Sequence, residues 1–225
     1  MRTPVAALTL VALLAGGCTS VAPPPVPSAP SSSRPAGVKP ERIKRVTGLL
    51  PAGYEYGDAA GKTSPAQIWG LGPDARTDPP VCAALIDPPA EDPDAGTGIF
   101  GSGPGGILYA VVAAAPALDP ALTEQCATFT VTFARTDVDV RVIDAPAVEG
   151  ARTVGLTSQG RTLVEGGGEI DTHAETYLAD VDGYRVITAA VIDPGSPAPP
   201  LPAGFAADLL VAAVAELRGE PGAVG

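Results

Sequence analysis

The amino-terminal leader is the feature that most restricts what this chain can fold into. Residues 1–17 place a positive charge at Arg2 before an apolar run over residues 5–14, and small residues then precede Cys18. The apolar run is shorter than the roughly 20 residues that cross a bilayer, so this order is typical of a cleaved lipoprotein signal. We predict a signal peptide at 1–17 and a lipid anchor on Cys18. The alternative is a plain secretory signal in which Cys18 is incidental.

The segment after the leader predicts a tether rather than folded structure. Residues 19–40 contain seven prolines with serine and alanine, and few large apolar side chains that could form a core. Such a composition favours a disordered, partly polyproline-like chain. We therefore divide the sequence into the signal peptide at 1–17, the lipidated cysteine with its tether at 18–40, and a single domain at 41–225.

Cysteine usage predicts one crosslink in that domain. Once Cys18 carries lipid, Cys82 and Cys126 remain as an even pair in a chain exported to an oxidising compartment. A disulfide between them is the prediction. Two free buried thiols or a metal site are the alternatives, although two cysteines without CxxC spacing and a single histidine supply few ligands for zinc.

Charge limits the classes of partner. The formal charge of −11 and the isoelectric point near 4.4 argue against nucleic-acid binding and against a polybasic membrane-surface module. We expect a protein on the outer face of the cell membrane, attached through the Cys18 lipid. Its partner would be an unidentified small molecule, lipid or envelope protein, and we expect no cofactor, no metal and no nucleic acid.

Hydrophobic periodicity predicts an α+β fold: an antiparallel sheet of about five to seven strands, short amino-terminal helices and a carboxy-terminal helix packed on the sheet. The predicted helices are 41–50, a short one opened by Ser64, one from Asp78 to Ile86, one from Asp119 to Cys126, and 203–217. The predicted strands are an edge strand at Tyr54 and Tyr56, a central strand at 107–112, and hairpins at 128–142, 153–164 and 176–192.

Few residues suggest catalysis. His173 is the only histidine and lies among carboxylates, so it could serve as a general base with Ser158 or Ser102. No serine lies in a GxSxG motif, however, and a surface histidine is the simpler interpretation. Trp69 is interpreted as a core residue rather than a sugar-stacking platform, because an aromatic content of 4% argues against a carbohydrate-binding face. A ligand site that includes Trp69 and His173 is the alternative.

Metal and phosphate sites have weaker support. Residues 101–106 fit GxGxxG, but Pro104 interrupts the loop and a strand rather than a helix follows, so we predict a flexible loop. Asp139 with Glu165 could form a carboxylate pair of the kind that glycoside hydrolysis uses. An acidic loop could collect calcium, although its spacing differs from that of an EF-hand and favours a solvated loop. Its carboxylates are Asp87, Glu91, Asp92 and Asp94.

Four short segments carry a family resemblance: Leu49–Tyr54, Gln67–Gly70, Asp78–Cys82 and Cys126–Phe133. Together they resemble actinobacterial, especially mycobacterial, envelope lipoproteins with a domain of unknown function. More distantly, the chain is similar to the extracellular sensor domain of mycobacterial serine/threonine kinases. The resemblance implies an antiparallel sheet with helices, a Cys82–Cys126 bridge and a cleft for an unidentified ligand, and it implies no catalytic residues.

These observations favour a non-enzymatic, lipid-anchored envelope protein that acts as a ligand-binding, sensor-like or protein-interaction domain. An envelope hydrolase that uses His173 with a nearby serine or carboxylate is one alternative. A structural lipoprotein that spaces the wall is the other.

Overall fold

The computed structural model describes residues 37–59, 61–88, 96–192 and 195–220. Its central feature is one antiparallel sheet of nine strands. The strands are β1 (Glu55–Asp58), β2 (Arg76–Asp78), β3 (Thr97–Gly103), β4 (Gly106–Ala114), β5 (Thr128–Phe133), β6 (Thr136–Ile143), β7 (Arg152–Leu163), β8 (Glu169–Val181) and β9 (Tyr184–Ile192). The α-helices are α1 (Pro65–Ile68), α2 (Ala83–Ile86), α3 (Ala121–Gln125) and α4 (Phe205–Arg218), and the 3₁₀ helices are η1 (Pro40–Leu49) and η2 (Pro80–Cys82).

The sheet is larger than predicted, and its centre lies elsewhere. The strand order is β1-β3-β4-β9-β8-β7-β6-β5-β2, so nine strands replace the expected five to seven. Residues 107–112 form most of β4, which is the third strand from one edge, whereas β8 is central. The continuous apolar run in β4 reflects the burial of both faces of the strand. Helices that cover both sides of a sheet can bury a strand in this way even when the strand lies near an edge.

One of the additional strands, β3, was predicted to be a loop because it is rich in glycine. The segment expected to be a flexible loop forms β3 and its turn into β4, and both Gly98 and Gly101 lie in the strand. A Cβ at Gly98 would stand 2.7 Å from the Cα of Val111, and one at Gly101 would stand 2.9 Å from Leu50 Cδ1. These glycines therefore allow close packing, a role that composition alone does not distinguish from a loop.

The predicted hairpin at 153–164 is wrong, because Ser158, Gln159 and Gly160 continue a single long strand. All three pair with β6 on one side and with β8 on the other, as do their neighbours along β7. In sequence, a polar stretch next to a glycine resembles a turn. In the structure, burial keeps alternating along this strand: Ser158 and Gly160 are buried, whereas Gln159 is exposed to solvent on the other face.

Two hydrophobic cores cover the two faces of the sheet. On one face, α4 and η1 pack against the β3, β4, β8 and β9 side chains, with Leu210 and Ile43 completely buried. On the other, the short helices α1, α2 and α3 cover Leu156 and Leu178. The disulfide between Cys82 and Cys126 lies within this second core, which confirms the predicted crosslink.

Several local predictions are confirmed. The hairpin of β8 and β9 turns at Asp182 and Gly183, both of which have positive φ, as a two-residue turn of this type requires. The terminal helix α4 ends at Gly219, whose φ of 73° is the left-handed conformation typical of a helix stop. Within the described residues, no helix is long and apolar enough to cross a membrane. Cys18, the signal and most of the tether lie outside those residues.

Candidate functional site

The uncovered part of the sheet presents an array of polar side chains, which we call the polar face. It lies on the same side of the sheet as α4 and η1, beyond the strands that they cover, and extends over β2, β5, β6, β7 and β8. Its polar residues are Arg76, Asp78, Thr128, Thr130, Thr132, Asp137, Asp139, Arg141, Thr157, Gln159, Arg161, Glu169, Asp171 and His173, and exposed Leu163 lies on the same side at the end of β7. Most of them are exposed.

Strand register brings five of these residues into one row across the sheet. Asp78 pairs with Thr130, Thr130 with Asp139, Asp139 with Gln159, and Gln159 with His173. Directly paired residues in an antiparallel sheet point to the same face, at a spacing of about 4.8 Å between strands. The row therefore forms a regular line of carboxylate, hydroxyl, amide and imidazole groups.

Two shallow cavities follow this row and meet at its centre. One, of about 490 Å³, is lined by Thr130, Arg141 and neighbouring residues, and the other, of about 470 Å³, reaches Arg161 and His173. Asp139 and Gln159 line both cavities. Each volume is comparable to that of a small-molecule site, but both cavities are shallow grooves that are open to solvent.

The side chains at the centre of the polar face have unused hydrogen-bonding capacity. Within the described part of the chain, Thr130, Asp139, Arg141 and Gln159 make no side-chain hydrogen bond or ion pair with the protein. By contrast, Arg161 at the rim lies 3.5 Å from Glu169 and 3.6 Å from the Asp171 carboxylate. The centre is therefore available to a ligand, whereas part of the rim is engaged internally.

The margin of the face is fixed by α4. Glu175, two residues beyond His173 on β8, accepts a 3.5 Å hydrogen bond from the Gly204 N–H at the start of that helix. The next residue on this side of β8, Tyr177, is buried under α4. Burial raises the pKa of Tyr177, and the negative charges of Glu175 and Asp208 raise it further. From Tyr177 onward, the side chains on this side of β8 are therefore covered by α4 and no longer exposed to solvent.

The structure separates the two residues predicted to bind a ligand together. His173 lies on the polar face, half-exposed, and borders the second cavity. Trp69 lies on the opposite side of the sheet, where its Nε1 donates a 3.0 Å hydrogen bond to the completely buried Oγ1 of Thr176. Trp69 is therefore a structural residue here, as its core interpretation predicts.

The serines considered as nucleophiles do not meet His173. Ser158 pairs with Ala174, the residue after His173, so its side chain points to the other face, where it is 4% exposed. Ser102 lies on β3 in the row of Ile107 and Val191, which belongs to that same opposite face. No serine–histidine pair results from either arrangement.

The remaining candidate sites are also resolved within the described residues. The GxGxxG segment is the β3–β4 hairpin, which lacks the following helix that phosphate binding needs. Glu165 lies in the turn after β7, beyond the strand segment that pairs with Asp139. No group of three metal-ligating side chains occurs in the described ranges. Of the acidic loop, Asp87 is described, whereas Glu91, Asp92 and Asp94 lie outside those ranges.

Sequence reasoning missed the central residues of the polar face. It identified the wet side of the β5–β6 hairpin from its alternation, but it read Gln159 as part of a turn and left Thr130 and Arg141 without a role. Apart from Gly160, residues 157–162 are all polar, so no alternation in the sequence marked this stretch as part of a strand. Which strands lie side by side is decided by the order of the whole sheet, so the row itself was not visible.

Comparisons with known proteins concern the domain as a whole. The family described as a domain of unknown function, DUF5642, matches residues 39–218. A crystal structure of an uncharacterized protein from Mycobacterium smegmatis, the Rv0999 ortholog, is similar with 21% identity and a TM-score of 0.58. That similarity covers 80% of this chain and 97% of the other, and it shows a shared fold alone. No curated protein matches the chain at a significant level.

Proposed function

Because the chain belongs to the DUF5642 family, whose description assigns no activity, we propose its function from the polar face. The protein is a lipid-anchored cell-envelope protein whose single domain binds a polar ligand without transforming it. A sensor-like role, similar to the extracellular domains of mycobacterial kinases, is the finer form of the same proposal.

The row from Asp78 to His173 carries this proposal. Unpaired side chains at its centre line two adjoining cavities, and each of them could form a hydrogen bond that the protein itself does not use. A purely structural spacer has no need of a concave, unpaired surface. A binding domain requires one, because a ligand gains affinity only from groups that are free to contact it.

Binding without chemistry is favoured by the side chains present. The polar face contains threonine, aspartate, arginine and glutamine, while Ser158 and Ser102 lie on the other side of the sheet from His173. A hydrolase built on His173 needs a nucleophile or an activated water within hydrogen-bond reach of the imidazole. Neither serine supplies that contact, and the groups that share a cavity with His173 are the carboxylates Asp137, Asp139 and Asp171.

Anchoring rests on the leader, in which an apolar run and small residues precede Cys18. We expect the native protein from an actinobacterial host to carry an acyl mass on Cys18 and to lack residues 1–17, and Cys18→Ala to lack the acyl mass. An unacylated Cys18 in the native protein would contradict the lipid anchor.

Native mass spectrometry of the full chain, purified in mild detergent from such a host, tests ligand binding. We expect a non-covalent extra mass that dissociates on activation. The double variant Asp139→Ala/Gln159→Ala should lose this mass, whereas the matched pair Glu124→Ala/Gln125→Ala, exposed on α3 on the opposite face, should keep it. An extra mass that is absent, or indifferent to the face variant, would contradict the proposal.

A further inference from the structure

We propose that the disulfide between Cys82 and Cys126 is a redox-sensitive clamp on the part of the sheet that carries the polar face. Its reduction loosens β2, β5 and the short helices beside them, whereas the strands under α4 stay folded. The clamp adds regulation to the polar face, and in that respect it rests on the proposed binding function. The clamp itself can be tested without a ligand.

The disulfide lies directly beside the outermost strands of the polar face. Cys82 comes four residues after Asp78, the last residue of β2, and Cys126 comes two residues before Thr128, the first residue of β5. Asp78 and Thr128 both line the cavity of about 490 Å³, and β2 pairs with β5 at the edge of the sheet. The crosslink therefore fixes the chain at the two strands that form this end of the polar face.

The strands β5, β6 and β7 are packed on one face over most of their length. Their apolar side chains, including Val131, Val140 and Leu156, belong to the core that contains the disulfide, which we call the disulfide core. Their other face is the polar face, which lies beyond the strands that α4 and η1 cover. By contrast, β8 and β9 contribute to the disulfide core and also pack under α4. Three strands of the polar face therefore depend on the disulfide core for most of their packing.

The helices that cover the disulfide core are too short to be stable by themselves. The helices α1 and α2 have 4 residues each and α3 has 5, whereas α4 has 14. Isolated helices shorter than about 12–15 residues are marginal in water, so these three depend on packing and on crosslinks. The cover is therefore held in place by its attachments.

A single covalent bond joins the two chain segments that form this cover. Residues 61–88 lie between β1 and β3 and contain Cys82, and residues 115–127 lie between β4 and β5 and contain Cys126. Among the residues that the structure describes, the two segments share no hydrogen bond and no ion pair. Without the disulfide, only apolar contacts hold the two segments together.

The other side of the sheet can stay folded when this cover opens. There α4 and η1 form a separate core with β3, β4, β8 and β9, and Ile43 and Leu210 are completely buried within it. Proteins open locally in cooperative units that differ in stability. A crosslink disfavours the open form by restricting its chain, so reduction favours opening of the region around the disulfide in particular.

The reduction step requires the cover to open first. Both cysteines are completely buried, so a reductant reaches the S–S bond only in the open form. A dithiol reductant then attacks as a thiolate, the S–S bond breaks, and a mixed disulfide forms with one cysteine. The second thiol of the reductant displaces that cysteine and closes the reductant's own disulfide. Two electrons and two protons pass to the protein, which leaves Cys82 and Cys126 as thiols.

Tryptophan emission and amide hydrogen exchange of the full chain in mild detergent test the clamp. Trp69, the only tryptophan in the sequence, lies in the cover, and its Nε1 donates a hydrogen bond to Thr176 on β8. Once dithiothreitol has added two hydrogens to the intact mass, we expect the Trp69 emission to move to longer wavelength. Exchange at 64–87 and 121–133 should accelerate about tenfold or more, because a disulfide typically contributes more free energy than a tenfold change represents. Exchange in β9 and α4 should change by less than about twofold.

The variant Cys82→Ala/Cys126→Ala is the matched control. It should show the accelerated exchange without reductant and no further change with it. Three results would overturn the clamp: equal acceleration in α4 and β9, acceleration in only one of the two segments, or a disulfide that is reduced only at urea concentrations that unfold the whole sheet.

Native mass spectrometry of the reduced chain separates the clamp from ligand binding. Loss of the face-dependent extra mass on reduction supports regulation of the polar face, and retention of that mass in the reduced protein rejects it. A protein with no extra mass, but with the predicted exchange pattern, would keep the clamp and contradict the binding function.

Discussion

Asp180 and Arg185 form a buried ion pair beside the turn that joins β8 to β9. The Arg185 Nε lies 2.8 Å from Asp180 Oδ1, and its Nη2 lies 3.2 Å from Oδ2, with 1% of the arginine side chain exposed. The pair also holds the chain between β4 and α3, because Arg185 donates to the Pro116 carbonyl and Asp180 accepts from the Leu118 N–H. It thereby connects the sheet to that segment.

Removal of the carboxylate should destabilise the fold strongly. Asp180→Ala leaves the Arg185 charge buried without its partner, and such a change typically costs about 3–5 kcal/mol. Asp58→Ala removes an exposed ion pair with Lys44 and should change stability by less than about 1 kcal/mol. Urea unfolding of both variants measures the difference, and similar losses would show that the buried pair has no special role.

The disulfide should contribute measurably to stability. Cys82 and Cys126 are 44 residues apart, and crosslinks of this kind typically stabilise a fold by about 2–4 kcal/mol, chiefly by restricting the unfolded chain. The double variant Cys82→Ala/Cys126→Ala should lower the unfolding midpoint accordingly. Intact mass measurement should find the native pair two hydrogens lighter than the reduced form. A fully reduced native protein would contradict the bridge.

Gly98 should be intolerant of any side chain. In the Ala variant, the new Cβ would press against the backbone of β4 at Ala110 and Val111, which cannot move aside without disturbing the pairing. We expect Gly98→Ala to cost about 1–3 kcal/mol, as overpacking does. A Cβ at Gly48 in η1 would have no atom within 4 Å, so Gly48→Ala should be neutral or slightly stabilising. Urea unfolding compares the two variants, and equal stabilities would contradict the close packing at Gly98.

Stability should decline in alkali, and Tyr177 should contribute to the decline together with Tyr54 and Tyr109, whose pKa values burial also raises. Burial, followed by the nearby negative charges, raises the pKa of Tyr177 in the fold above the ordinary value of about 10. Above that pH the unfolded chain loses its proton first, so the contribution of Tyr177 is complete below pH 10 and is lost as the pH rises through the folded-state pKa. Urea unfolding between pH 8 and pH 11.5 should show a smaller decline for Tyr177→Phe. The variant Tyr56→Phe, at an exposed position, serves as the control. Equal declines in the native protein and Tyr177→Phe would contradict this account.

The correct predictions concern parts of the fold that are determined by a few residues adjacent in sequence. The turn at Asp182 and Gly183, the stop at Gly219 and the apolar side of α4 are each encoded within a few residues. The strands β3 and β7 were misread because glycine and polar residues look alike in loops and in tightly packed or wet strands. Their role depends on neighbours distant in sequence, such as Leu50 beside Gly101.

The candidate site was harder to predict than the fold, because it depends on which strands are neighbours in the sheet. The alternation in β5 and β6 revealed a wet surface, but the alignment of Asp78, Thr130, Asp139, Gln159 and His173 follows from the register of four strand pairs. The prediction combined His173 with Ser158 or Ser102, whereas His173 lies on the polar face and both serines lie on the other side of the sheet. The serines considered with it point through the sheet, a consequence of the two-residue period of a strand.

The central claim is that the polar face contacts a ligand in the envelope, and site-specific photo-crosslinking in intact cells tests it most directly. A diazirine-bearing residue would replace Thr132, at the rim of the face, or Gln125, on α3 across the sheet. We predict an adduct from position 132 that shifts the mass of the full chain and is lost when Asp139→Ala/Gln159→Ala is added, and no such adduct from position 125. Equal labelling from both positions, or none from position 132, would contradict the account.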